Sequence, residues 1–191
     1  MSASAFRCQV RLTLADLDRG LDASRTLVTA QQIDEPDEHI LLRFLAHVLF
    51  FEEQLRDAPG WSDAHEPDAR ADDLTGQLVL WIECQTPPMK RLEKALSRHK
   101  NARFIALFGN PDEAEQFRQA VIAERLRHVE QLEIWTLPQA FLAELERIGN
   151  RNMTWNATIA DHTLYLECDG ESLDCVPEKL PAATARQQAS A

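Results

Sequence analysis

Apolar and polar residues alternate through FRCQVRLTLADLDRGLDASRTLVTA, residues 6–30, on either side of DLDRG. That period of two predicts an antiparallel pair of strands joined by a turn. The period then changes. In DEPDEHILLRFLAHVLFFEEQLRD, residues 34–57, Leu41, Phe44, Leu45, Val48 and Leu49 fall on one helical face. Asp34 is placed to cap this long helix and Pro36 to sit in its first turn. The Pro-, Gly- and Asp-rich stretch 58–76 predicts a loop with at most a short strand near Pro67 and Asp68. Leu78 to Cys84 follows as a strand apolar on both faces, the pattern of an inner strand in a sheet covered by helices.

Pro87 and Pro88 stop that strand, and MKRLEKALSRHK puts Met89, Leu92, Leu96 and His99 at helical spacing. ARFIALFG predicts a second strand lying beside the first through a right-handed crossover. A helix over 111–129, a strand LEIWTLP, a helix QAFLAELERIG and a hairpin turning at Ala160 to His162 complete the pattern. Residues 178–191 have nothing to bury and predict a flexible tail, leaving one domain over 1–177. Strands alternating with helices after an initial strand pair indicate an α/β fold, a mixed sheet flanked by helices.

Composition changes this picture in three ways. No apolar run approaches the ~20 residues of a membrane span, and MSASAFRCQVRL lacks the core of a signal peptide, so a cytoplasmic protein without a membrane partner is expected. The four cysteines, Cys8, Cys84, Cys168 and Cys175, have neither CxxC spacing nor a nearby histidine pair, so buried, reduced thiols are expected. A net charge of -11 opposes broad affinity for polyanions. A nucleic-acid partner would therefore have to use a local patch. Lys90, Lys94 and Lys100, three of only four lysines, cluster with Arg91, Arg98 and Arg103.

Pro67-Asp68, fourteen intervening residues and Glu83-Cys84-Gln85 resemble the PD-(D/E)XK arrangement of metal-dependent nucleases. Two carboxylates on neighbouring strands can sit ~5 Å apart and share a hard cation, Mg²⁺ or Mn²⁺, through oxygen ligands. Glu83 and Gln85 are two apart and would leave the same strand face. Glu38, in the first turn of the long helix, is a third acidic candidate, and its other reading is a charge favoured there by the helix dipole. The motif lysine is replaced by Gln85, which can orient water but carries no charge. Lys90 or Lys94 on the next helix is a candidate to supply it. The competing reading makes Glu83 a strand-end carboxylate facing solvent or paired with Arg91, and the basic residues a solvated helix face. His39 and His47 are too far apart for an i, i+4 ligand pair and read as surface or packing residues. Trp61, Trp81, Trp135 and Trp155 read as packing.

LADLDR, DEPDEHILLRFLAHVL, EPD with DDLTGQLVLWIE, and KRLEKA together resemble the YaeQ family of bacterial proteins, over most of the chain to about Phe108. The resemblance implies a variant of the PD-(D/E)XK restriction-endonuclease-like fold, in a family without an assigned activity. It implies acidic positions at Glu38, Asp68 and Glu83 and a basic helix carrying Lys90, Arg91 and Lys94. It also implies a small residue where this chain has Gln85. Two functions follow as expectations. One is a metal-dependent phosphodiesterase with Asp68 and Glu83 on the metal and Arg91 and Arg98 on phosphate. The other is a catalytically inactive binding or regulatory module.

Overall fold

Strands β1 (Phe6–Asp16) and β2 (Leu21–Gln31) form the expected antiparallel hairpin, with Phe6 facing Gln31 and Asp16 facing Leu21. The computed structural model describes residues 6–61, 63 and 65–181. Helix α1 (Asp37–Leu49) follows, then the short strands β3 (Arg56–Asp57) and β4 (Ala69–Asp72) and the apolar strand β5 (Leu78–Cys84). The chain continues through α2 (Met89–Arg98), β6 (Arg103–Phe108), α3 (Pro111–Ala123), β7 (Leu132–Thr136) and α4 (Gln139–Ile148). Strands β8 (Asn152–Ala160), β9 (Thr163–Cys168), β10 (Glu171–Cys175) and β11 (Glu178–Lys179) end it. Among the described residues no helix is long and apolar enough to cross a membrane.

The single mixed sheet expected from the strand–helix alternation is two mixed sheets. One has the order β10-β9-β8-β1-β2, the other β11-β7-β6-β5-β4-β3. Local alternation cannot specify the pairing that separates them, because β1 takes the distant β8 as its parallel neighbour, Val10 facing Met153 and Leu14 facing Ala157. Strands β5, β6 and β7 run parallel, connected by α2 and α3. One apolar cluster joins β1 and β8 to α1, α4 and the Leu80, Ile82 and Cys84 face of β5. A second packs Trp81, Phe104 and Ile134 against Leu92 and Leu96 of α2 and Phe117 of α3. The layers are therefore sheet, α1 with α4, sheet, then α2 with α3.

Helix α1 departs most from its sequence pattern. It is buried from His39 through Val48 rather than along one stripe, because a sheet covers it on either side. It starts at Asp37 with Pro36 at the N-cap and no side-chain cap, so Asp34 does not cap it. A proline disfavours helical geometry in the residue before it, here Glu35, and so sets the boundary. The helix ends at Leu49, and the predicted continuation to Asp57 becomes a loop and β3, which pairs Arg56 with Arg70 of β4. Helix α3 also stops early, at Ala123, followed by Arg125 and His128 with φ of 52° and 61°. The turn at Asp161 and His162 lies where the sequence places it, and the Asp18 carboxylate accepts from both of its amides at 2.9 and 2.8 Å. The chain does not leave the fold at 177: Glu178 and Lys179 pair with Thr136 and Trp135. Residues 182–191, the rest of the expected tail, lie outside the described residues. All four cysteines are free and buried.

Candidate active site at the β4–β5 rim

Asp68 immediately precedes β4, and Glu83 is the last residue but one of β5. Ala69 faces Ile82 across this antiparallel pair, which brings Asp68 and Glu83 opposite each other at the next position. The Asp68 amide donates to the Ile82 carbonyl at 3.0 Å. Both carboxylates line one cavity of about 300 Å³ with His39, Trp61, Gln85 and Arg91. Gly60 closes its edge, where a Cβ would strike the Pro67 carbonyl.

Each carboxylate is held by protein donors. Asp68 Oδ2 accepts from the Cys84 amide at 2.7 Å, and Oδ1 lies 3.3 Å from His39 Nε2. Glu83 Oε1 accepts from Trp81 Nε1 at 2.8 Å and Oε2 from Arg91 Nη2 at 2.5 Å. Arg91 Nη1 also donates to the Glu66 carbonyl at 3.0 Å. Burial pushes the Glu83 pKa up to about 8 against the pull of Arg91, and the neighbouring Asp68 charge adds to the rise. Both Glu83 oxygens accept hydrogen bonds, so the geometry accommodates the ionised form while desolvation opposes it. Among the described residues no group of three or more His, Cys, Asp or Glu side chains is placed so that it could hold a metal ion.

The other predicted residues separate. Arg91 is the α2 cation that reaches the rim, whereas Lys90, Lys94 and Arg98 stay on the exposed face of α2, outside the cavity lining. Glu38 is also outside it. Its carboxylate presses against Gly109, and burial, with Glu113 and Glu146 nearby, raises its pKa.

Gln85 does line the cavity, but not by strand alternation from Glu83. Strand β5 ends at Cys84, and Gln85 adopts φ of 83° while its amide donates to the Leu107 carbonyl at 2.8 Å. A side chain in this left-handed region costs about 1–2 kcal/mol. Gln85→Gly is therefore expected to stabilise the fold by about 1 kcal/mol net of the entropy glycine loses. A urea midpoint at or below that of the wild type would contradict this.

The sequence reading missed a buried ladder on α1. His39 and His47 are not surface residues but 2% and 3% exposed. Glu35 Oε1 lies 2.6 Å from His39 Nδ1 and 3.1 Å from Arg43 Nη1. Arg43 Nη2 lies 3.3 Å from Asp57 Oδ2, and His47 Nε2 lies 3.0 Å from Asp57 Oδ1. Burial opposes each charge, but the contacts win. Asp68 and Glu35 raise His39 to about 9, and partners hold Glu35 and Asp57 below the usual carboxylate range. Glu35, His39, Arg43 and His47 are each four apart. That i, i+4 repeat of ionisable residues was the signal available in the sequence. Trp61 packs at an edge: it is 40% exposed, with its ring centroid 4.8 Å from that of His39 beside the cavity.

The family model described as YaeQ protein matches residues 1–177. The chain is similar to the Escherichia coli (strain K12) protein described as uncharacterized protein YaeQ, 33% identical over 178 residues, 91% of this chain and 94% of that protein. It is also similar to the crystal structure of YaeQ protein from Xanthomonas axonopodis pv. citri. That match has a TM-score of 0.83 and 27% identity, and covers 93% of this chain and 99% of that one. The crystal structure of YaeQ protein from Pseudomonas syringae gives a TM-score of 0.81 and 25% identity, covering 93% and 97%. Because a family model and a relative above 30% identity each span nearly the whole chain, this chain belongs to the YaeQ family.

Proposed function

We propose that the Asp68–Glu83 rim is a PD-(D/E)XK-like site that binds Mg²⁺ or Mn²⁺ and hydrolyses a phosphodiester in a nucleic acid. The observation that carries this reading is the opposition of two carboxylates across β4 and β5 at the edge of one cavity. The donor set fits a hard divalent ion, which is held through carboxylate oxygens and retains waters. When bound, such an ion supplies Lewis acidity, polarising a phosphoryl oxygen and acidifying the attacking water.

The protein residues take the remaining roles. Asp68 and Glu83 hold the cation, and the Gln85 side-chain amide orients water. Arg91, which neutralises Glu83, is the cation within reach of a phosphate seated in the cavity and takes the place of the absent motif lysine. Lys90, Lys94 and Arg98 on the outer face of α2 contact neighbouring backbone phosphates, a local patch on an acidic protein. The four free thiols fit a reducing, cytoplasmic setting.

One observation favours the second reading, a binding or regulatory module without catalysis. All four oxygens of Asp68 and Glu83 already face protein partners, so a cation must displace Arg91 from Glu83. Calorimetric titration with Mg²⁺ and Mn²⁺ separates the two. On the catalytic reading the wild type binds, and Asp68→Asn and Glu83→Gln each weaken binding by at least about tenfold, 1.4 kcal/mol. Cleavage of single- or double-stranded DNA or RNA at low salt is then lost in both variants. Equal metal binding in all three proteins removes the site, and metal binding without cleavage leaves the module.

A further inference from the structure

We infer that the outer edge of β2 is a self-association surface, on which a second copy of this chain adds its own β2 in antiparallel register about Thr26. This contact does not depend on the proposed cation site.

The other sheet ends in this fold are short. Strands β3 and β11, at the two ends of one sheet, have two residues each, and β10 has five, among them Glu171 and Asp174. Strand β2 is an end strand of eleven residues. It pairs with β1 from Leu21 to Gln31 without a register shift and contains neither proline nor lysine. Short length, prolines, lysines and bulges are the devices that keep a sheet edge from adding another strand, and β2 has none of them.

Backbone direction fixes the register. The Gln9 amide donates to the Arg151 carbonyl of the neighbouring β8 side at 2.7 Å, so odd-numbered residues of β1 bond toward β8 and even-numbered ones toward β2. Cys8, Val10 and Leu12 therefore form the hydrogen-bonded pairs with Thr29, Leu27 and Arg25. The alternate residues of β2, Asp22, Ser24, Thr26, Val28 and Ala30, turn amide and carbonyl outward, and among the described residues no backbone group meets them. One antiparallel register uses all five. It sets Thr26 opposite Thr26 of the second copy, Ser24 opposite Val28 and Asp22 opposite Ala30, a two-fold contact in which each pair exchanges two hydrogen bonds.

Charge complementarity selects a second copy as the occupant. Asp22 and Arg7 are both exposed, and neither is in an ion pair among the described residues. Arg7 faces Ala30 across the hairpin. In the two-fold register, Asp22 of the second copy flanks Ala30 on its other side, and the small alanine lets the guanidinium reach across. The symmetry makes this pair twice. Arg25, the other charge of β2, is turned onto its own chain, donating to the Leu55 and Glu53 carbonyls at 2.9 and 2.6 Å. A cavity of about 240 Å³ beside Val28 and Ala30 leaves room where the second strand approaches.

The test is sedimentation equilibrium of the full chain from about 10 µM to about 1 mM, with amide hydrogen exchange read residue by residue at both ends of that range. The expected mass rises toward that of a dimer. The amides of Ser24, Thr26 and Val28 exchange at least about tenfold more slowly in the concentrated protein, while those of Arg25 and Leu27, bonded to β1, stay protected throughout. Thr26→Pro removes an outward amide but no β1–β2 hydrogen bond, so it holds the protein monomeric with an unchanged circular dichroism spectrum. Asp22→Arg and Arg7→Asp each weaken association by at least about tenfold, and combined in one chain they restore it to within about threefold. A monomer across the whole range overturns the inference. So does a dimer indifferent to Thr26→Pro, or a loss on single charge reversal that the double variant does not rescue.

Discussion

Arg43→Met is expected to destabilise the protein by about 3–5 kcal/mol, the range found when one member of a buried ion pair is removed. Arg43 is 6% exposed and is the cation between Glu35, whose side chain is fully buried, and Asp57. Methionine fills much of the volume but leaves both carboxylates short of a counter-charge, so the loss comes from uncompensated desolvation rather than from a cavity. Urea denaturation followed by circular dichroism measures it. A second variant isolates the cause: adding Glu35→Gln to Arg43→Met removes one of the stranded charges, so the double variant should lose less than the two single losses summed. A single-variant loss below about 1 kcal/mol would mean the ladder is well solvated and the account of α1 is wrong.

The second large effect is on pH. Both strongly raised groups bind a proton on folding, so both make stability fall as pH rises. For His39, lifted to about 9 from 6.5, the contribution is complete below 6.5 and is lost as pH climbs through 9. For Glu83, lifted to about 8 from 4.5, the charged form is the disfavoured one. Its penalty therefore develops between 4.5 and 8. The two overlap from 6.5 to 8, where the slope is steepest. On the acid side Glu133, held at about 2 by Arg103, Trp135 and Lys179 against burial, loses its stabilisation as pH falls from 4.5 toward 2. Thermal midpoints should therefore peak near pH 5–6 and decline toward pH 9, with a flatter decline in His39→Gln and in Glu83→Gln. Midpoints that hold level or rise from pH 6 to pH 9 would contradict the assignment.

Much of the fold was readable because it is written in local periodicity. Strand β5, with both faces buried apart from Val79, and the stripe of Leu92 and Leu96 on α2 match their sequence patterns. The Asp68–Glu83 opposition was also readable, since a hairpin fixes its own register. Other features depend on partners distant in the chain. Lys90 or Lys94 was expected to supply the missing charge, with Arg91 paired to Glu83 only in the competing reading, and the structure has that pairing. Glu38 was the acidic candidate of the long helix, yet it lies against Gly109, and it is Glu35, just before the helix, whose carboxylate meets His39. The left-handed conformation of Gln85 cannot be seen in a strand pattern, because a glutamine gives no sign of positive φ.

What the sequence by itself determined was the main strands and helices and their order, the free cysteines and the two carboxylates, all consequences of spacing between near neighbours. Tertiary structure alone decided that there are two sheets and that α1 is buried between them. It also decided that the ionisable stripe of this helix meets Asp68 and Asp57. The physical reason is that a charge four residues along a helix costs little in water, and becomes a constraint on the whole site only when both sheets exclude solvent from it.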